Sequence, residues 1–371
     1  MDSPLEMFAI VAPGLEPECA TELETLDVSG ITPQRGGVSF HGDRARLQQA
    51  NLLLRSASRV LVRVGAFRCR DFPQLFKRCR DLPWGRYVKP ATPVEVSVST
   101  HRSRLIHGGR VASTVSEAID RALGCSHAGG TFCQRIQVRI EEDLCTVSID
   151  SSGELLHRRG YRSEAGAAPL RETLAAGILL KLGWQPDEAL VDPMCGSGSF
   201  LIEAALIAQG IPPGWQREFA FMHWPKFRSG AWQVLLAQCR GTLPLSLPPL
   251  LGCDIDATVV GRAARNAERA GVSGAIEWQA EGLQRVKAPA QQGLVICNPP
   301  YGERLGEGEG LRQLYRDFGE TLREEFPGWR YGFLCPEPEL VSLTGLDTHA
   351  LRRLSNGGLQ VGLYTGQLPR K

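Results

Sequence analysis

The sequence predicts an α/β protein in two parts: an α+β region at the amino end, then a domain built on a mostly parallel, doubly wound sheet. Three observations predict this. At 371 residues the chain is too long for one typical domain. Up to about residue 156, strand-like and helix-like runs follow one another in mixed order. After Leu170 they alternate strictly, helix then strand, which is the pattern of parallel sheets covered by helices.

Periodicity places the elements in order. A first unit, 1–66, reads as strand Met7 to Val11, helix Leu15 to Leu26 with Pro17 in its first turn, strand Gly37 to Phe40, helix Arg44 to Leu54 and strand Val60 to Ala66. A second, 67–156, reads as helix Phe72 to Cys79, strand Val94 to Ser99, helix Gly109 to Leu123, and strands Ile136 to Ile140 and Cys145 to Ile149 joined by the acidic turn Glu141-Glu142-Asp143. Residues 157–169 (HRRGYRSEAGAAP) have little periodicity and read as a linker to a last domain, 170–371. There Leu170, Leu174, Ile178 and Leu182 share a helical face, and Ala189 to Asp192 is a short buried strand. The segment Ile211 to Leu251, with Trp215, Trp224 and Trp232, is an insertion that lines a target pocket or forms a packed cap.

Composition narrows the function. The content of 43% hydrophobic and 22% charged residues is that of a soluble globular protein. The amino terminus has no basic, apolar leader pattern and no stretch approaches a membrane span, so a cytoplasmic location is expected. Eleven cysteines occur without a Cys-x-x-Cys pair, so buried thiols are expected and no metal site. Charge is unevenly spread: Arg44 to Arg110 holds fifteen Lys or Arg against three acids, a local +12 that leaves −10 for the rest of a chain with net charge +2. That asymmetry points to a polyanion-binding segment.

The chemistry lies in the carboxyl part. "DPMCGSGSFLIEAALIA", Asp192 to Ala208, is a strand end, a loop with Gly196 and Gly198, and a helix start, where backbone can approach a ligand closely and offer free N–H groups. It lacks the third glycine of the dinucleotide fingerprint. "LLGCDID" then puts Asp254 at a second strand end, suited to accept bonds from both ribose hydroxyls, with Asp256 as a helix cap. "IEWQAEG" puts Glu281 at a third strand end and "LVICNPPY" puts Asn298 at a fourth. In an open α/β sheet such tips converge on one crevice.

This set, Asp192-Pro-x-Cys-Gly-x-Gly, Asp254, Glu281 and Asn298-Pro-Pro-Tyr301, resembles S-adenosylmethionine-dependent amino-methyltransferases of the NPPY type. The stretches "LHRRGYRSEAGAAPLRETLAA", "GWQP", "NPPYGERL", "MFAIVAPGLEPECATELETL" and "GGVSFHGD" resemble, more narrowly, the bacterial 23S rRNA guanine-N2 methyltransferases over most of the chain. The resemblance implies a ferredoxin-like first unit, a THUMP RNA-binding second unit and a Rossmann-like methyltransferase domain. Some relatives carry a second methyltransferase half; this sequence ends near the close of the first, so one activity is implied. A monomer is expected. Two departures, Ser199 where Thr is frequent and Glu281 where Asp is usual, are conservative.

By that resemblance S-adenosylmethionine, leaving as S-adenosylhomocysteine, is held by Pro169, Asp192, Cys195, Gly196, Gly198, Ser199, Asp254, Ile255, Glu281, Gly282 and Asn298. RNA is held through Arg68, Arg70, Lys77, Arg78, Arg102, Arg104 and Arg110, and rRNA or tRNA is the partner. Catalysis falls to Asn298, Pro299 and Tyr301: two acceptors for the hydrogens of an exocyclic amine, and a ring on which an extruded base stacks. Cys297, a rival nucleophile, alternates away from Asn298 between apolar neighbours and is expected to be inert. Methylation of a tRNA guanine, of adenine N6 in RNA or DNA, or of protein glutamine uses the same amine chemistry, and a noncatalytic RNA-binding factor is the alternative of a different class.

Overall fold

The computed structural model describes residues 4–124, 132–162, 170–239, 241, 247–301, 308–356 and 359–370. The chain divides into two compact units, the first holding most of residues 1–156 together with 217–238, the second the remainder.

In the first unit β1 (Leu5–Val11) is followed by α1 (Glu16–Glu24), β2 (Ser29–Gln34), β3 (Gly37–Gly42), α2 (Arg44–Leu53), β4 (Ala57–Arg68), α3 (Phe72–Arg80), β5 (Val94–His101), α4 (Gly108–Leu123), β6 (Gln134–Glu141) and β7 (Leu144–Asp150). One sheet of order β2-β3-β1-β4-β7-β6-β5 carries all seven strands. β4 is 12 residues long and pairs antiparallel with β1 on one side and β7 on the other. The division expected after residue 66 therefore falls inside a strand that both halves share. α3 and α4 bury Leu75, Cys79, Val111, Val115, Ala118 and Ile119. Asp71 starts α3 by accepting the Gln74 amide at 2.8 Å, and Gly124 ends α4 in the left-handed conformation (φ 68°) that glycine adopts without strain.

The second unit holds α5 (Glu172–Lys181), β8 (Ala189–Asp192), α6 (Ser199–Ala208), β9 (Leu250–Cys253), α8 (Ala257–Arg269), β10 (Glu277–Gln279), β11 (Gly293–Cys297), α9 (Glu309–Glu325), β12 (Arg330–Cys335), α10 (Pro338–Leu343), β13 (His349–Asn356) and β14 (Leu359–Gln367). Its sheet runs β10-β9-β8-β11-β12-β14-β13, parallel from β10 through β12, with β14 antiparallel to both its neighbours. β8 and β11 are adjacent, and from them the order runs outward in opposite directions. Their junction is the topological switch point, where the loops that leave them part and open a crevice.

Two differences from the sequence reading have physical reasons. The segment expected to be a linker begins inside the second unit, where Arg159 and Tyr161 are buried; 163–169 lie outside the described residues. The tryptophan insertion sends 217–238, including a short helical turn (Ala220–His223) and most of α7 (Ser229–Cys239), to the first unit. There the Trp224 indole N–H donates to Gln134 Oε1 at 2.7 Å and its ring meets Tyr87 edge-on at 5.1 Å, while Trp232 packs edge-on against Phe219 and Phe221. That part of the insertion is a packed cap.

Candidate active site

β8 ends in Asp192, whose carboxylate is 2% exposed and accepts the Met194 amide at 3.3 Å. Burial pushes its carboxyl well above the usual carboxylate range. The loop that follows is bound to the next strand tip: the Cys195 amide donates to the Cys253 carbonyl at 2.8 Å and the Gly196 amide to Asp254 Oδ2 at 3.0 Å. Gly196 and Gly198 both have positive φ, 54° and 79°. At Gly198 a Cβ would come within 2.6 Å of the Trp278 ring, whereas at Gly196 it would meet nothing within 4 Å. Gly198 lets the loop close on β10's tryptophan, and Gly196 faces open space where a ligand can approach.

Asp254 takes one backbone amide on each oxygen, Gly196 on Oδ2 and Asp256 on Oδ1 at 3.1 Å. Each carboxylate oxygen keeps a further lone pair, so the bracing fixes the group without exhausting it. Asp256 caps α8 by accepting the Thr258 amide at 2.8 Å, the role expected for it. Beside Asp254, Ile255 is 83% exposed, a large apolar side chain held out over the sheet end, and a Cβ on Gly282 would lie 4.0 Å from its Cδ1. Glu281, two residues beyond β10, is half-buried.

At the tip of β11, Asn298 Oδ1 is buried and has no hydrogen-bond partner among the described residues. An orphan acceptor in such a place costs free energy unless something else donates to it. Pro299 is buried, and the Pro300 carbonyl accepts from the Tyr315 hydroxyl at 3.5 Å. Tyr301 is 5% exposed, so the ring face expected to meet a base is covered in this structure. Cys297 is fully buried, and burial raises its thiol well above the ordinary range, which removes it as a nucleophile. Pro169 lies outside the described residues.

Sequence reasoning missed a buried ionic layer beneath the glycine loop. Arg162 donates to Ser199 Oγ at 2.5 Å and to the Leu170 carbonyl at 2.9 Å, and stands 3.6 Å from Glu172. Arg159 is 3.6 Å from Glu203, which also accepts the Tyr161 hydroxyl at 3.1 Å. On the other side Asn266 donates to the Ser197 carbonyl at 3.1 Å and accepts from Arg269, which in turn donates to the Tyr161 carbonyl at 2.8 Å. The available signal was Glu203, a lone carboxylate within the apolar helix "SFLIEAALIA", which could be buried only with a cation.

In the first unit the seven cationic residues expected to meet RNA are all exposed. Asp143 gathers several of them at one end of the sheet: it accepts the Arg104 amide at 2.9 Å and pairs with Arg70 at 3.1 Å, while Arg68 reaches the neighbouring Glu142 carbonyl at 3.4 Å. Arg110 lies over the Phe72 ring at 4.1 Å, tying the start of α4 to that of α3. Lys77 and Arg78 follow in the last turn of α3.

Residues 159–361 match the family UPF0020, described as RMKL-like, methyltransferase domain. The chain belongs to this methyltransferase family. Residues 6–61 match the RlmL ferredoxin-like domain, as expected for the first unit. The chain is 38% identical over 374 residues to the "Ribosomal RNA large subunit methyltransferase K/L" of Methylococcus capsulatus, covering 97% of this chain and 50% of that protein. It thus spans about half the length of the K/L relatives it matches. Against slr0064 of Synechocystis sp., provisionally named an RNA methyltransferase, it is 36% identical over 97% of this chain and 96% of the other. Two crystal structures superpose at TM-score 0.89: SMU.472, a provisionally named methyltransferase complexed with SAH (30% identity, covering 100% of this chain and 99% of that one), and a predicted N6-adenine-specific DNA methylase from Listeria monocytogenes (32%, covering 99% and 97%). Asp192, the 195–199 loop, Asp254 and Asn298 all lie within the residues that match this family.

Proposed function

We propose that this chain methylates the exocyclic N2 amine of a guanine in RNA, with large-subunit ribosomal RNA as substrate and S-adenosylmethionine as methyl donor. The donor set fits such a cofactor. Asp254 offers braced acceptors for ribose hydroxyls, Ile255 and Gly282 offer an apolar slot for the adenine with Glu281 beside it, and Gly196 leaves the loop open toward the ligand. Bound there, the donor supplies an activated methyl group on a sulfonium, so no covalent protein nucleophile is needed.

The observation that carries the reading is the orphaned, buried Asn298 Oδ1 at the switch point. An aromatic amine is a weak nucleophile because its lone pair is delocalised into the ring. Asn298 Oδ1 and the Pro299 carbonyl, each accepting one of the amine hydrogens, turn the nitrogen toward a pyramidal shape and aim its lone pair. These bonds strengthen as positive charge develops on the nitrogen, so they stabilise the transition state more than the ground state. Pro299 and Pro300 keep the acceptors aimed, the exposed arginines around Asp143 hold phosphates, and the 67–156 segment acts as a THUMP-type RNA-binding region.

The second reading, adenine N6, is favoured by the name of the Listeria structure. Tritiated donor incubated separately with ribosomal RNA, transfer RNA and DNA, followed by nucleoside analysis, separates the two. Label recovered as N2-methylguanosine from ribosomal RNA is the expected result; N6-methyladenine in either polymer would overturn the guanine assignment.

A further inference from the structure

A recess of about 630 Å³ lies on the first unit's sheet. On β6, Ile136, Val138 and Ile140 are buried, leaving Gln137 and Arg139 on the opposite, open face. The strand registers set that face out in rows. Arg63 of β4 pairs with Ser148 of β7, Ser148 with Gln137 of β6, and Gln137 with Ser97 of β5. One step along, Thr146, Arg139 and Ser99 form a second row, and Arg68 of β4 pairs with Leu144 in the next. The rows thus run on to the arginine-bearing end of the sheet.

The chemistry of this surface suits an unpaired nucleic-acid segment. Hydroxyls and amides fill its middle, and the lining carries three arginines, Arg35, Arg63 and Arg139, against one carboxylate, Glu141. Arg139 pairs with that carboxylate at 2.8 Å and Arg63 with Glu6 at 2.7 Å, while Arg35 is exposed and has no side-chain partner among the described residues. At the rim the Phe8 ring packs on Gly37, where a Cβ would come within 2.4 Å of it, and the Arg63 guanidinium lies 4.9 Å from the ring centre. A guanidinium stacked on an aromatic ring keeps a second face for a base. Of the apolar residues in the lining, Leu61 and Val138 are buried within the sheet, which leaves Phe8, Ile10 and Val98 as side chains on which a base can pack.

We propose that this open sheet face is a second RNA contact, binding a short unpaired segment of the substrate through base stacking at Phe8 and Arg63, polar contacts from Gln137 and its neighbouring hydroxyls, and a phosphate at Arg35. The proposal rests on the reading of RNA as substrate. Its position, on sheet rows continuous with Arg68, makes it an extension of the sheet-end arginines for RNA that has lost its base pairs.

The test uses the full chain and two fluorescent probes, an oligoribonucleotide without secondary structure and a blunt RNA duplex. Gln137→Ala and Arg35→Ala are expected each to weaken the unpaired probe by about tenfold, with Arg35→Ala lowering the salt slope by about one, and to leave the duplex unchanged. Arg104→Ala, at the sheet end, should weaken both probes. Photocrosslinking of 4-thiouridine in the unpaired probe should mark peptides containing Phe8 or Gln137. If both sheet-face variants bind the unpaired probe as tightly as the parent while Arg104→Ala weakens it, the sheet-face contact is wrong and the RNA reading stands. If the parent binds neither probe at low salt, both fall.

Discussion

Asn298 and Asp192 carry the strongest expectations for single residues. Asn298→Ala removes an acceptor whose bond tightens only as the amine pyramidalises, so kcat should fall about 100-fold while binding of S-adenosylhomocysteine and RNA stays nearly unchanged. Tyr301→Phe should keep most activity and Tyr301→Ala lose it. Single-turnover rates on one RNA test whether the ring or the hydroxyl is what this buried residue contributes, and a Phe variant as slow as the Ala variant would assign the role to the hydroxyl. Asp192 is a buried carboxyl whose ionisation has a cost in stability. Its carboxyl is raised by burial, so the folded protein holds that proton more tightly than the unfolded chain does. The stabilising contribution is therefore complete below the unfolded value of about 3.9 and is lost as pH climbs through the raised folded value. Asp192→Asn should accordingly be at least as stable as the parent at neutral pH, with the advantage shrinking on acidification. The same change should weaken binding of the cationic donor, because a positive sulfonium favours the ionised carboxylate. Melting curves across pH, paired with calorimetric titration of the donor, read both effects; a neutral-pH loss of stability in the Asn variant would show that Asp192 is held as a paired anion.

At the scale of elements, the strand tips were legible and their supports were not. Asp192, Asp254 and Asn298 stand out because each follows an apolar run and the α/β alternation says where such runs end. β2 was missed because Ser29–Gln34 is an edge strand with no buried face, so it has no period-2 signal, and Pro33 sits there without breaking the sheet. β4 was read too short at both ends because the apolar run that marks it, Val60 to Ala66, is flanked by Ser58 and Arg59 on one side and closed by Arg68 on the other, residues that carry no strand signal. The ionic layer under the glycine loop joins residues more than a hundred positions apart, as in Arg269 to Tyr161, and no local pattern encodes such a pairing. Its contribution is open to measurement at Asn266, which is fully buried and touches none of the groups proposed to react. Asn266→Ala strands the Ser197 carbonyl and one Arg269 donor, so stability should drop by about 1–3 kcal/mol. Because the loop would lose its brace, affinity for S-adenosylhomocysteine should fall by about tenfold, or about 1.4 kcal/mol, with kcat at saturating donor nearly retained. A fall in kcat with unchanged donor affinity would mean that Asn266 acts on the target side.

For the whole molecule, the cut suggested by sequence order is not the cut the structure makes. Charge asymmetry pointed to the amino-terminal half as the polyanion-binding part, yet a fragment ending near residue 156 would omit 217–238, which belong to the same compact unit. Those residues supply the aromatic cluster of Phe219, Phe221 and Trp232, and Trp224, packed on Tyr87, satisfies the buried Gln134, whose Nε2 also donates to the Asp150 carbonyl at 2.8 Å. Asp150 in turn pairs with the buried Arg59. Losing the cap therefore exposes apolar surface and unpairs an amide that leads into the polar centre of the sheet. Trp224→Ala in the full chain should cost the first unit about 3–5 kcal/mol, from the cavity and the stranded Gln134 acceptor together. Fragment 1–156 should be less stable still and bind RNA poorly for that reason, even though it contains every arginine assigned to RNA. Chemical denaturation of the full chain, followed by fluorescence, should show one transition moved to lower denaturant by Trp224→Ala and another left in place. If fragment 1–156 instead melts as cooperatively as the first unit of the intact protein and binds RNA with the same salt dependence, the insertion is an ornament on a self-sufficient domain and the cap has no part in holding the RNA-binding face together.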